Sequence, residues 1–158
     1  DAETLVAVEP ERWSHVSQLC IGYKAHVVRR DERDRGERAA LNLGHSTAHA
    51  IERCLGYGAL GHGVAVGLGL LVALKVSEDV LGCPPVVRAR TTALMQTLGL
   101  PTKLALPQTR QLMDAMGWDK KRGSQSGFFV GLRNLGEPVT GLEVDPDALG
   151  AALELVRA

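Results

Sequence analysis

The sequence predicts a mainly α fold: a multi-helix domain with at most a small β-hairpin near its end. Three observations carry this. Apolar residues recur at three-to-four spacing through the first two thirds of the 158-residue chain, which is the period of a helix with one buried face. Glycine and proline punctuate that pattern at "GYG" (56–58), "GCPP" (82–85) and "GLP" (99–101), where helices end. Only "FFVGLRNL" and "PVTGLEV" carry a strand-like pattern, diluted by Gly and Pro.

Element by element, Pro10 suits a helix N-terminus, and Trp13, Val16, Leu19, Cys20, Tyr23 and Val27 continue the helical spacing after it. The charged segment Arg29 to Glu37 reads as a turn, followed by a helix from Glu37 to Leu55. A third helix runs from about His62 to Leu81. Its glycines at 63, 67 and 69 weaken it in isolation, so the sequence predicts another backbone packed tightly against it. "VVRARTTALMQTLGLP" gives a further helix, Thr109 to Met116 a short one, and 120 to 127 a polar loop. The last helix is capped by Asp145 with Pro146 at its first position.

Composition narrows the function classes. A hydrophobic content of 45%, a charged content of 23% and a formal net charge of zero describe a globular chain that is neither disordered nor a polyanion binder. No nucleic-acid partner is expected. The apolar run "VAVGLGLLVAL" is closed by Lys75 after about half the length of a bilayer span. No membrane segment or signal peptide is expected. Cys20, Cys54 and Cys83 form no C-x-x-C pair, so each reads as a small buried apolar side chain in a cytosolic protein. There is no internal repeat and no linker. Residues 1–158 read as one domain, and the absence of an initiator methionine suggests a chain cut from something longer.

The chemistry concentrates in "GERAALNLGHSTAHAIE", residues 36–52. Arg38, Asn42, His45 and His49 follow one another at intervals of four, three and four, so a continuous helix would place them on one face. Such a stripe on an otherwise apolar helix must be paired, solvated in a cleft or bound to a ligand, because an unpaired buried polar group costs about 1–3 kcal/mol. Histidines four apart can reach one metal ion or one anion, and His62 opens the next helix to complete a His-rich corner. Hydrogen-bonded core histidines have the same spacing. Lys24, Arg38 and Lys120 add cations suited to a phosphate or carboxylate.

Three segments, "KAHVVRRDERDRGERAALNLGHSTAHAIE" (24–52), "GYGALGHGVAVGLGL" (56–70) and "DKK" (119–121), together resemble the C-terminal half of the 3-dehydroquinate synthase family, within the sugar-phosphate cyclases. The resemblance extends across the whole chain. It implies a phosphate-eliminating carbon-oxygen lyase of the shikimate pathway, acting on 3-deoxy-arabino-heptulosonate 7-phosphate, with NAD reduced and regenerated within each turnover. It further implies that His45 and His62 are ligands of zinc, or of cobalt in its place. Lys24, Arg38, Asn42 and His49 would be the catalytic and substrate-holding residues, joined by Lys120 or its neighbour Lys121 at the substrate.

The family's nucleotide-binding half also donates a glutamate to the metal. This chain has no G-x-G-x-x-G after a strand, so NAD is expected to bind outside it and the isolated chain to be inactive. Asp34 stands where the family has Glu, "STAH" replaces "TFGH" or "SIGH", and Val64 replaces an acidic residue. These departures keep open a cyclase of another sugar phosphate, such as an aminodehydroquinate synthase. A non-catalytic helical domain serving a homodimer is the alternative of a different class.

Overall fold

The computed structural model describes residues 10–33, 36–117 and 129–158. Among them are six α-helices, one 3-10 helix and one hairpin: α1 (Pro10–Arg30), the 3-10 helix (Glu37–Asn42), α2 (His45–Leu55), α3 (His62–Leu81), α4 (Pro85–Thr97), α5 (Thr109–Ala115), β1 (Phe129–Asn134), β2 (Glu137–Leu142) and α6 (Pro146–Glu154). The mainly helical expectation, with one hairpin near the end, is met. The polar loop expected over 120–127 lies outside the described residues.

The centre of the fold is α3. Leu68, Val72, Ala73 and Val76 are fully buried along it, and α2, α4, α6 and β1 all pack on it. A helix that is apolar on every side belongs in the middle of a core. That place accounts for the long apolar run, and among the described residues no helix is long and apolar enough to cross a membrane. Ile51 of α2, Leu112 of α5, and Leu149 and Leu153 of α6 complete the cluster.

Both ends of the hairpin segment are tied to this core. The two strands pair antiparallel, with Asn134 opposite Glu137 across a turn at Gly136, whose φ is +83°. The buried hydroxyl of Ser77 on α3 donates to the Ala73 carbonyl and accepts the backbone N–H of Leu132 at 2.9 Å. After α6, capped by the Asp145 carboxylate as expected, the chain returns to Leu104. There Leu104 N–H donates to Val156 O and Ala158 N–H to Leu104 O, each at 2.9 Å.

Three expectations are corrected. The helix expected from Glu37 is divided: the 3-10 helix ends at Asn42, and Gly44 takes a left-handed conformation with φ +79° before α2 begins. The break lies where the chain passes closest to α3, and only glycine fits there, because a Cβ on Gly44 would lie 2.7 Å from the Leu70 nitrogen. Of the three glycines in α3, only Gly69 meets another backbone, that of Gly44. Gly67 faces the flexible end of Met95, and Gly63 has open space. Among the cysteines only Cys83 is buried; Cys54 is half-buried, and Cys20 is exposed on α1, a helix that buries only Val27 fully.

Candidate metal and substrate site

Two helix starts and one loop closure position the polar side chains. Each of His45 and His62 is the first residue of a helix, following Gly44 and Gly61. The close passage of Gly44 over Gly69 and Leu70 sets α2 against α3, and Gly56, with φ +90°, turns the chain between them. The three rings of His45, His49 and His62 then form a near-equilateral triangle, with centroids 5.8, 5.5 and 5.9 Å apart.

Glu52, only 8% exposed, joins two of the three rings. Its Oε1 accepts from His62 Nδ1 at 2.9 Å and its Oε2 from His49 Nδ1 at 3.2 Å. His45 Nδ1 meets the Leu43 carbonyl at 3.2 Å. A carbonyl or carboxylate oxygen can only accept, so all three imidazoles carry a hydrogen on Nδ1 and keep Nε2 for another partner. The bond from His62 holds the Glu52 carboxyl below the usual carboxylate range; burial opposes the shift, and the bond from His49 adds to it.

A metal-binding histidine commonly donates its second ring N–H to a carboxylate or a backbone carbonyl. The donor set therefore fits a divalent ion of the zinc type, which takes imidazole and carboxylate ligands. The side chains whose ligand atoms lie within 4.8 Å of one another are His49, Glu52 and His62; His45, expected as a ligand, is not among them, although its ring centroid is 5.5 Å from that of His62.

The remaining polar residues approach from the loop before α2. Asp31 Oδ2 accepts the backbone N–H groups of Gly36 and Arg38 at 2.8 and 3.1 Å, closing the turn between α1 and the 3-10 helix. Arg38 donates one guanidinium N–H to Glu32 O at 3.0 Å, which leaves donors of its five for an oxyanion. Asn42 ends the 3-10 helix and is exposed, as is Lys24 on α1. Because a 3-10 helix turns every three residues, Arg38 and Asn42 do not continue the helical face of His45 and His49, contrary to the single stripe expected from the sequence. Lys120, Lys121 and Asp34 lie outside the described residues.

Sequence reasoning missed Glu52, although the signal was present. It follows His49 by three residues, so the polar face of α2 consists of His45, His49 and Glu52. Val64, which stands where the family has an acidic residue, is half-buried, and the carboxylate bonded to His62 is that of Glu52.

The family described as 3-dehydroquinate synthase C-terminal matches residues 1–122. Among curated relatives, 3-dehydroquinate synthase of Neisseria meningitidis serogroup C is 37% identical over 150 residues, covering 95% of this chain and 42% of that protein. The Bartonella quintana enzyme is 36% identical, covering 92% of this chain and 40% of its own length. That of Leptospira interrogans is 38% identical over 133 residues, covering 84% and 37%. The chain thus spans about two fifths of these relatives. In fold it is similar to 2-deoxy-scyllo-inosose synthase, solved with carbaglucose-6-phosphate, NAD+ and Co2+: the TM-score is 0.77 at 21% identity, over 91% of this chain and 42% of that one.

Proposed function

The chain belongs to the 3-dehydroquinate synthase family through that family's C-terminal domain, and on that premise we propose that it forms the metal- and substrate-binding part of an enzyme converting 3-deoxy-arabino-heptulosonate 7-phosphate to 3-dehydroquinate and phosphate. The single observation that carries the reading is the triangle of His45, His49 and His62, each ring with Nδ1 bonded to a protein oxygen and, among the described residues, no bond at Nε2. Residues 1–158 form one domain in this reading. The part of the relatives beyond the match would hold NAD and supply a further metal ligand.

His45 and His62 would hold zinc, or cobalt, which is present in the fold neighbour's crystal. When bound, the metal supplies Lewis acidity to a substrate hydroxyl and NAD a reversible hydride acceptor. His49 keeps an Nε2 lone pair to accept a hydrogen bond from a substrate hydroxyl. Arg38 and Lys24 offer fixed positive charge for the carboxylate and phosphate, and Asn42 an amide that can both donate and accept. Lys120 joins them by the family resemblance. These groups orient a reactant whose own phosphate leaves, so their contribution is chiefly positioning and charge stabilisation.

Val64 and the fold neighbour favour a second reading in which the same chemistry acts on another sugar phosphate. Turnover by the full-length protein separates the two. Phosphate release from the heptulosonate phosphate, abolished by His45→Ala, is expected; turnover only with an amino analogue or another hexose or heptose phosphate would favour the second. A full-length protein that keeps no metal when purified without chelator, and whose activity survives His45→Ala, would defeat both.

A further inference from the structure

We propose that Glu52 is a positioning residue that orients two functional imidazoles at once, holding His49 and His62 as Nδ1–H tautomers with both Nε2 atoms presented to the same cleft. This rests on the reading of His62 as a metal ligand and His49 as a substrate contact. The geometry is asymmetric in a way that a surface ion pair is not. Glu52 has a side chain 10% exposed, while the two rings it contacts are 56% and 55% exposed. The carboxylate is thus the fixed partner, and the rings are anchored to it.

Each oxygen serves a different ring: Oε1 takes His62 from α3, and Oε2 takes His49 from one turn earlier in α2. One side chain therefore locks two elements as well as two tautomers. Nothing else among the described residues offers an acceptor to either Nδ1 atom. Each oxygen keeps a further lone pair, so the zinc measurements below are what separate anchoring of the rings from ligation.

Glutamine distinguishes these roles. A Gln side chain of the same shape has one accepting oxygen and one donating nitrogen, so it can satisfy only one Nδ1–H and forces the other ring to turn or change tautomer. In the full-length protein with Glu52→Gln, zinc affinity measured by competition with a chromophoric chelator should fall about 10–100-fold. In the metal-free protein, 15N imidazole shifts should show both wild-type rings as Nδ1–H and one of them altered in the variant.

Affinity and shifts identical to wild type would overturn the proposal, leaving Glu52 a structural group. Complete loss of zinc, equal to that of His62→Ala, would also overturn it by making Glu52 a ligand. Should Glu52→Gln fail to fold, the wild-type shifts decide alone: an Nε2–H tautomer at His49 or His62 overturns the proposal, and Nδ1–H at both upholds it. Zinc retained unchanged by His45→Ala and His62→Ala would instead defeat the metal reading, while the tautomer measurement would still stand.

Discussion

Gly44 and Gly69 meet backbone to backbone: a Cβ on Gly69 would fall on the Gly44 carbonyl and lie 2.9 Å from its carbon. No flexible side chain is there to move aside. Gly69→Ala should therefore destabilise the fold by about 1–3 kcal/mol or more. Gly63→Ala, in the same helix but with open space at its Cβ, should stabilise it by about 0.5–1 kcal/mol. Denaturant midpoints of the two variants give the comparison, and equal shifts would contradict the close passage.

Ser77 joins α3 to the hairpin. In Ser77→Ala the Leu132 N–H, buried at 2.9 Å from the hydroxyl, loses its acceptor. The expected destabilisation is about 1–3 kcal/mol, and amide exchange at Leu132 should accelerate more than at Ile51. Unchanged exchange at Leu132 would count against the bond.

Metal binding to the native state alone adds stability by mass action. For the full-length protein, zinc at a hundred times its dissociation constant should raise the unfolding free energy by about 2.7 kcal/mol. His62→Ala should abolish that gain, whereas His15→Ala, on the exposed face of α1, should retain it. Calorimetry with and without zinc reads both.

Acid stability should depend on the end of the chain. Glu154 accepts from Thr109 and from Arg157, and these two bonds, the one from Thr109 foremost, hold its carboxyl below the usual range against some desolvation. Because the folded value is depressed, the unfolded chain binds more protons between the two values. The stabilisation is complete above the unfolded carboxyl's pKa of about 4.3 and is lost as pH falls through the lower folded value. Thr109→Val should flatten this acid dependence, measured as the urea midpoint from neutral pH downward.

Local chemistry made most of the fold legible. His62–Leu81 follows from its apolar run and the Gly-Cys-Pro-Pro stop, and α6 from the Asp145-Pro146 start. The start of α2 was not legible. Gly44 is left-handed where it passes Leu70, 26 positions away, with no room for a Cβ, and a helical period cannot report a contact made in three dimensions. The same limit applied at the site. The spacing of His45 and His49 placed both on one helix, but Arg38 and Asn42 were assigned to its face through a helix that does not exist there. Glu52 was in view within the motif, yet its partner His62 is on another element.

The buried course of α3 also sets the timescale on which the imidazole triangle can come apart. His62 opens a helix that is largely buried in the core from Ala65 to Ser77, and Glu52 anchors it to a helix that is likewise buried on its inner face. Segments enclosed in this way open only with the global transition. The backbone spacing of the two helices that carry the rings should thus have the lifetime of the native state, and fraying of the exposed α1 would leave it untouched.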